Sequence, residues 1–454
     1  MACFWVNAQG TTVKIPTTLE KEGVTLYEIK ISVGDIFWIV THRYNDFFEL
    51  HTKLVNDHGV AKDILPSKKL IRSKCPQFID TRRKGLELYL QKLLKFLKLT
   101  MPRIFLEFLN FHVYDVYFLL QSLALKFYSG AESYISTTNS YNFTTLEIHA
   151  ISKCCNTPQP AEYNPDKRYD FTHVLDFCSQ LKDLNVTGII GNYLRSNIQP
   201  NDLLFDFRNF KKITNLSLKE ICLDCIKDLG QLRNNLETMT INKSNMTSLS
   251  QILQCDVLHK YNFDSTHVWS NLVKMDLSHN CLTEIDQTIK LVPNLKTLIL
   301  DQNRFSNIPN LLELKNLTTL SICGNLITSC KQIHFTLGNI SHLNLSQNSI
   351  TSLEGFTKLY SLETLNLTGN NINNIEEIKF LSNLPCLEDL KLTGNSVSTI
   401  VDYRVKVLEY FGKRAQEICL DNEQPLQPEL DKVSIRRALK ILKDGEVPEI
   451  LSTR

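Results

Sequence analysis

An arginine and a tyrosine stand together where a β-rich segment gives way to a helical pattern. The segment "IFWIVTHRY" (36–44) ends in Arg43 and Tyr44, and apolar residues at helical spacing follow it. A guanidinium fork can bind phosphate oxygens through two hydrogen bonds, while an aromatic face covers the apolar edge of a ring. The pair therefore predicts a pocket for a phosphorylated ring. The alternative is a surface arginine beside a half-buried tyrosine.

A basic stretch follows over residues 62–104, with twelve Lys and Arg against three acids, a net charge of +9 where the whole chain carries +2. A solvated helix face explains part of it. The loop "LPSKKLIRSKCPQF" (65–78) also mixes apolar residues with the cations. Insertion of apolar side chains into a membrane buries apolar surface, and each cation near an anionic leaflet adds about 1 kcal/mol of binding free energy. We expect Leu70, Ile71 and Phe78 to insert into a membrane.

The elements that position these residues follow from local patterns. Two β-rich segments flank Gly34 and Asp35, which is a hairpin signal. A helical pattern runs from Phe47 to Leu54, and two further helices are predicted at 79–99 and 101–111. The N-terminal region is therefore expected to combine a small sheet with helices.

The second half of the chain is a repeat. The template L-x-x-L-x-L-x-x-N-x-L recurs six times, which is the leucine-rich-repeat signature. The first leucines form a short strand, and the asparagine amide can bind backbone groups of neighbouring turns. We expect a ladder of asparagines that replaces lost backbone hydrogen bonds, formed by Asn280, Asn303, Asn325, Asn348, Asn370 and Asn395.

Two degenerate coils, at 213–221 and 236–244, precede the regular ones and carry Ile221 and Ser244 at the asparagine position. More residues than one coil needs lie between Ser244 and the first ladder asparagine. We interpret this excess as an inserted loop, with a missed degenerate coil as the alternative.

Solenoids present a concave sheet to their partners. The outward strand positions are polar and of mixed sign, without a basic stripe for nucleic acid. They predict a protein-binding surface that includes Lys274, Asp276, Asp301, His342, Asn344, Asn366 and Lys391. The array is expected to close in a cap that begins at Tyr403. A last amphipathic helix, 429–443, either packs on that cap or binds a partner.

Several classes of protein are disfavoured by what the sequence lacks. No P-loop, G-x-S-x-G or H-E-x-x-H motif occurs, so we expect neither an enzyme nor a cofactor. The thirteen cysteines are scattered. The one C-x-x-C, Cys222 and Cys225, has no second pair for zinc. Such cysteines are typical of reduced thiols in the cytosol. We read neither a signal peptide nor a membrane span.

Three motifs, "HRYNDF", "LPSKK" and "RRKGLELYL", resemble in order those of the phox-homology (PX) domain. The resemblance covers residues 8–118 and implies binding of phosphoinositides, most often phosphatidylinositol 3-phosphate. It implies that Arg43 pairs with the 3-phosphate, that the Tyr44 ring packs under the inositol and that Arg82 binds the 4- and 5-hydroxyls. The lysine on the 1-phosphate would be Lys69 or Lys74.

The whole layout resembles the nischarin (imidazoline-receptor-related) family, most closely at "HRYNDF", "LELYLQKLL", "MDLSHN", "KLYSLETLNL" and the cap. This resemblance implies a cytoplasmic scaffold that is peripheral on endosomal membranes and restrains cell migration. Its implied partners are an integrin cytoplasmic tail and a Rac/Rab-type GTPase or PAK-type kinase. Family members continue beyond the cap, so a short form or a fragment is expected.

The expected fold class is an α+β PX domain, with a three-stranded sheet plus helices, followed by an α/β leucine-rich-repeat solenoid with a C-terminal cap. A linker and N-terminal cap region connects them. The expected function is a phosphoinositide-binding adaptor. The alternative is a soluble leucine-rich regulatory subunit whose PX fold docks protein. The expected ranges are 8–118 for the PX domain, 119–205 for the linker, 206–402 for about eight repeats and 403–454 for the cap and C-terminal helix.

Overall fold

The computed structural model divides the chain into two compact units, and each is described by itself. The first comprises Met1–Leu181 and Val186–Lys212, and the second comprises Lys182–Asn185 and Ile213–Arg454. The structure describes residues 11–33, 36–67, 75–97, 100–156, 167–191, 193, 199–255, 267–309, 311–331 and 333–444.

The first unit opens with an antiparallel sheet of β1 (Thr11–Lys21), β2 (Val24–Val33) and β3 (Ile36–Arg43), in that order. Side chains alternate across the sheet because the strand repeat is two residues. One face is buried and forms the core with the helices, through residues that include Val13, Tyr27, Ile29, Ile31, Trp38 and Val40. The register of β1 against β2 shifts between Lys14 and Thr17.

Three helices cover the buried face: α1 (Tyr44–His58), α2 (Pro76–Phe96) and α3 (Arg103–Phe108). The predicted start of the second helix was 79, and the helix instead begins at Pro76. Proline suits the first helical position because its fixed φ matches the helix and its missing N–H would be unpaired there.

Side chains of α2 hold β1 at its irregular point. Arg83 donates to the carbonyl of Ile15, and the backbone N–H of Ile15 donates to Glu87 at 2.7 Å. Gln91 donates to the carbonyl of Val13 at 3.2 Å. The register shift leaves backbone groups of β1 without strand partners, and these side chains bind them.

The rest of the first unit is formed by α4 (Phe111–Thr137), β4 (Ser140–Thr144), α5 (Thr145–Cys154) and α6 (Thr172–Gln180). The helix α4 runs through the expected boundary at 118/119, and β4 lies where the sequence pattern favoured a loop. Tyr141 and Phe143 are two residues apart on β4, so both point to the buried side of this strand. They form an aromatic cluster with Phe127, Phe177 and Phe210.

The second unit is a solenoid of short parallel strands joined by turns and single 3₁₀ segments. Adjacent strands from β6 to β14 pair in sequence order. The strands are β5 (Asp183–Thr187), of which residues 183–185 belong to this unit, β6 (Asn215–Lys219), β7 (Thr238–Asn242), β8 (Lys274–Asp276), β9 (Thr297–Ile299), β10 (Thr319–Ser321), β11 (His342–Asn344), β12 (Thr364–Asn366), β13 (Asp389–Lys391) and β14 (Cys419–Leu420). Two one-turn helices, α7 (Ser250–Leu253) and α8 (Ile333–Thr336), lie between strands.

The six template asparagines are buried and make the same bonds in successive coils. Asn370 is typical: its Oδ1 accepts from the N–H of Ile350 at 2.9 Å, and its Nδ2 donates to the carbonyls of Leu345 and Leu367, both at 2.9 Å. Equivalent bonds link Asn303 and Asn325 to their neighbouring coils. Each asparagine therefore joins its own turn to the preceding one.

The two degenerate coils continue this pattern with a substitute. Ser244 takes the ladder position: its Oγ accepts from the N–H of Ile221, and its own N–H donates to Asn280 at 3.0 Å. The strand β7 pairs directly with β8. The excess residues between these strands are therefore an insertion, and the segment 256–266 between them lies outside the described residues.

A cap closes the solenoid with α9 (Tyr403–Phe411) and α10 (Gln427–Asp444). Arg404 on α9 donates to Glu429 on α10 at 2.7 Å and to the carbonyl of Leu420 at 2.8 Å. The C-terminal helix thus packs on the cap, as one of the two interpretations predicted. Its exposed side chains include Ile435 and Leu439.

The residue before each ladder asparagine adopts the left-handed conformation. Gln347 has φ 56° and Gly369 has φ 68° at equivalent positions of adjacent coils. The Gln347 amide lies over Gly369, so that a Cβ on this glycine would stand 2.6 Å from Gln347 Nε2. A side chain on one coil therefore fits the space left by a glycine on the next.

We expect Asn370→Ala to lower the free energy of unfolding by about 2 kcal/mol, because it leaves a buried N–H and two carbonyls without partners. Urea unfolding followed by circular dichroism measures this. The matched control is Asn371→Ala, since Asn371 is the exposed neighbour. Equal losses in the two variants would contradict a role for the ladder.

We expect Gly369→Ala to cost about 1 kcal/mol or more, because a Cβ is strained at this φ and meets Gln347. The double variant with Gln347→Ala should recover the steric part only. A thermal-melting comparison of both variants tests this, and full recovery in the double variant would show that φ contributes nothing.

Candidate functional site

Arg43 lies at the junction of β3 and α1, where it is the N-cap residue of the helix in an extended conformation. Its Nε donates to Asp46 Oδ1 at 3.0 Å, and its backbone N–H donates to Asp46 Oδ2 at 3.0 Å. The side chain is 53% exposed. Asp46, in the first turn of α1, therefore orients a guanidinium that remains open to an anion.

Arg82 lies between two aromatic rings. Its guanidinium carbon is 4.5 Å from the ring centroid of Tyr44 and 4.4 Å from that of Phe78. Phe78 and Arg82 are one turn apart on α2, so they share a face of that helix. A cation over a ring face is attracted by the ring quadrupole, and the two rings hold the flat guanidinium in place.

Burial and the charge of Arg82 shift the pKa of the neighbouring phenols in opposite directions. Burial raises the pKa of Tyr27 and of Tyr44, and the Arg82 guanidinium offsets part of that rise. Both phenols are therefore neutral at physiological pH. The Tyr44 hydroxyl donates to the carbonyl of Pro66. Pro66 also packs closely on Gly85, where a Cβ would lie 2.9 Å from the proline ring.

The three consecutive cations at 82–84 have different neighbours. Arg82 faces the rings. Arg83 donates to Asp80 at 2.8 Å as well as to β1, and Lys84 pairs with Asp80 at 2.9 Å. Hydrogen bonds to Lys84 and Arg83 lower the pKa of the Asp80 carboxyl. Only Arg82 of this triplet adjoins Tyr44.

Four of the predicted site residues lie outside the described residues: the phosphate-binding candidates Lys69 and Lys74 and the membrane-insertion candidates Leu70 and Ile71. Their placement relative to Arg43 stays a prediction. Phe78 is described, and it lies in the first helical turn of α2 rather than in a loop. It is half-buried with its ring on Arg82. Its insertion into a membrane also stays a prediction.

Tyr27 and Asp46 belong to this site, and the sequence reasoning missed both. Tyr27 reads as one alternating position of a strand, and nothing local distinguishes it. Asp46 is the aspartate of "HRYNDF", three residues after Arg43. That spacing matches the reach of a side chain back to a helix N-cap and could have signalled the contact.

The predicted concave-face residues fall into register rows. One row aligns Lys274 with His342 across the intervening strands, and the next aligns Asp276 with Asn344, Asn366 and Lys391. Lys274 and His342 are exposed. The structure therefore places these side chains on one face of the sheet.

Several of these polar groups already have partners. Asp276 accepts from the N–H of Ser278 at 3.0 Å, and Asn344 Oδ1 accepts from Ser346 Oγ at 2.7 Å. Asp301 accepts from Ser321 Oγ at 2.6 Å. Burial raises the pKa of Asp301, and this hydrogen bond opposes the rise. The exposed Lys274 is thus more available to a partner than the carboxylates, while His342 Nδ1 is hydrogen-bonded to Thr364 Oγ1 at 3.1 Å.

The described cysteines are all free thiols. Within the same described ranges, no cluster of three His, Cys, Asp or Glu could hold a metal ion. Over that part of the chain, none of the helices has both the length and the apolar character that crossing a bilayer requires.

Two family models match separate parts of the chain. The family model of the PX domain matches residues 35–112, and that of the leucine rich repeat matches residues 315–372. The first match contains Arg43, Tyr44, Phe78 and Arg82.

Among curated proteins, Sorting nexin-24 of Homo sapiens is 33% identical over 90 residues, 20% of this chain and 51% of that protein. Sorting nexin-14 of Danio rerio is 28% identical over 179 residues, 35% of this chain and 19% of that protein. Serine/threonine-protein kinase Sgk3 of Mus musculus is 31% identical over 90 residues, 19% of this chain and 18% of that protein. The chain thus spans about half, or less, of the relatives it matches.

Among solved structures, a designed CISK-PX domain is 35% identical and covers 22% of this chain and 97% of its own, with a TM-score of 0.21. An internalin of Listeria monocytogenes is 21% identical and covers 50% of this chain and 58% of its own, with a TM-score of 0.33. The predicted fold class is confirmed: a PX domain with a three-stranded sheet and helices is followed by a leucine-rich-repeat solenoid.

Proposed function

We propose that the protein is a non-enzymatic adaptor whose PX domain binds phosphatidylinositol 3-phosphate and whose repeats bind a protein. The observation that carries this proposal is the Arg82 guanidinium held between the rings of Tyr44 and Phe78, because Tyr44 directly follows Arg43 in sequence. A pocket for an inositol phosphate needs cations for the phosphate and hydroxyl oxygens and an aromatic face for the ring.

The two arginines have different roles in this proposal. Arg43 is exposed and binds the 3-phosphate, with Asp46 fixing its direction. Arg82 is held by aromatic faces, which leave its N–H edge for the 4- and 5-hydroxyls of the ring. Lys69 or Lys74 binds the 1-phosphate. A pre-positioned guanidinium loses less conformational entropy on binding than a free one.

Recruitment to endosomal membranes follows from this lipid specificity. The matched relatives include proteins named sorting nexins, which supports a role in membrane trafficking. Apolar residues of the loop, Leu70 and Ile71 with Phe78, add a second, weaker attachment by insertion. Stable anchoring of a peripheral protein usually needs two such signals.

The concave face of the repeats supplies the protein-binding half of the adaptor. Its exposed Lys274 and His342 lie in one register row. The resemblance to the nischarin family suggests an integrin cytoplasmic tail as the first partner to test, with a Rac/Rab-type GTPase or PAK-type kinase next.

We expect Arg43→Gln and Arg82→Gln each to weaken binding to vesicles with phosphatidylinositol 3-phosphate at least about ten-fold, since each removes a charged hydrogen bond. Vesicle co-sedimentation across a phosphoinositide panel measures this. Lys84→Gln is the matched control: it removes the same charge from the same triplet but pairs with Asp80 instead.

Equal weakening by Lys84→Gln would reduce the site to a non-specific basic patch. Vesicle binding that does not depend on the phosphoinositide would favour the soluble regulatory subunit. Thermal melting of each variant separates lost contacts from lost folding.

We expect Lys274→Glu to weaken capture of the chain by an immobilised integrin-tail peptide about ten-fold, because the substitution buries an unpaired carboxylate in the interface. Lys290→Glu is the control, since Lys290 lies on a 3₁₀ segment outside the concave strands. Unchanged capture with Lys274→Glu would remove this row from the interface.

A further inference from the structure

An open cavity of about 510 Å³ lies at the surface of the first unit, between the C-terminal half of α4 and β4. It is separate from the arginine site in sequence, and nothing in the proposed function uses it. Its volume falls in the range of small-molecule sites, roughly 300–1,000 Å³. All of its lining residues carry polar groups: Lys126, Ser133, Tyr134, Thr137, Thr138, Ser140, Tyr141 and Asn142.

The lining offers six hydroxyls, one amide and one ammonium and no carboxylate, and most of these residues are exposed while Tyr141 is buried. Lys126, Ser133 and Thr137 lie on one face of α4, since helical residues three, four and seven apart share a face. Within the described part of the chain, the side chains of Ser133, Thr137 and Asn142 make no hydrogen bond with protein. Their donors and acceptors are available to a ligand.

The ammonium of Lys126 is held at the edge of the cavity. Its Nζ donates to the Tyr141 hydroxyl at 2.7 Å and lies 4.7 Å from the centroid of that ring. It also lies 5.8 Å from the ring centroid of Tyr134. An ammonium has three donors, so two remain for an anion.

The nearest acid does not neutralise this ammonium by contact. Glu147 is engaged elsewhere, since it accepts from the N–H of Thr144 at 2.7 Å and from its hydroxyl at 2.9 Å. The hydrogen bond that Lys126 donates to the Tyr141 hydroxyl raises the pKa of Lys126, which keeps it charged at physiological pH. The carbonyl of Tyr134, at the end of α4, accepts from the N–H groups of Thr138 and Asn139.

We propose that this cavity binds the phosphate ester of a polyol, with Lys126 on the phosphate and the lining hydroxyls and amide on the ligand hydroxyls. A single cation suits one phosphate group, and the hydroxyl-rich wall suits a ligand with several hydroxyls of its own. The faces of Tyr134 and Tyr141 cover the carbon-bound hydrogens of such a ring. The same chemistry is present in a soluble sugar phosphate and in an inositol lipid headgroup.

The test is isothermal titration calorimetry of the whole chain with myo-inositol 1-phosphate, myo-inositol and inorganic phosphate. We expect the ester to bind at least about ten-fold more tightly than either fragment. Lys126→Met should weaken it about ten-fold or more, which is the effect of losing one charged hydrogen bond. Thr137→Val, which keeps the shape and removes one hydroxyl, should weaken it less.

The titrations are carried out in the Arg43→Gln background, which removes a binding residue of the proposed lipid pocket, so that binding lost on adding Lys126→Met is assigned to this cavity. Flotation of Arg43→Gln with phosphatidylinositol vesicles distinguishes the two sources of ligand. If Arg43→Gln floats and the added Lys126→Met abolishes flotation, the ligand is a lipid headgroup. If Arg43→Gln binds the ester but does not float, the ligand is a soluble ester. Lack of ester binding, or binding that survives Lys126→Met in a folded protein, would overturn the proposal. So would equal affinity for inorganic phosphate.

Discussion

Backbone groups that regular pairing leaves unpaired must find partners, and side chains supply these partners in both units. In the solenoid, a buried asparagine such as Asn370 binds the backbone of its own turn and of the preceding one. In the first unit, Arg83 and Glu87 bind both backbone groups of Ile15 at the irregular point of β1. An unpaired buried N–H or carbonyl costs about 1–3 kcal/mol, so the narrow coils and the shifted strand depend on these side chains.

The same helix that supports the sheet presents the candidate lipid site. Successive residues of a helix point about 100° apart, so Arg82, Arg83 and Lys84 reach three different environments. Arg83 holds β1 while Arg82 lies between the rings of Tyr44 and Phe78. The position of Arg82 therefore depends on the packing of its neighbour. Net charge in this stretch does not tell which cation meets the aromatic rings.

Local patterns predicted the regular parts well and the irregular ones poorly. The template spacing identified the solenoid because each coil repeats the same burial requirement. The strand β4 (Ser140–Thr144) was missed because it is short and begins at the end of the polar run "STTNS" (136–140), whose composition is typical of a loop. The contact of Tyr27 with the arginine site was also missed, because it joins β2 to a helix about fifty residues away in sequence.

The sequence by itself determined the repeat, the ladder positions and the presence of an Arg-Tyr pair before a helix, because these depend on spacing within a few residues. Only the tertiary structure decided that the excess residues after Ser244 are an insertion, since that required the pairing of β7 with β8. It also decided which cation meets the aromatic rings. It placed Lys126 of α4 beside Tyr141 of β4, which is fifteen residues further along the chain. Such contacts join residues whose separation no local period encodes.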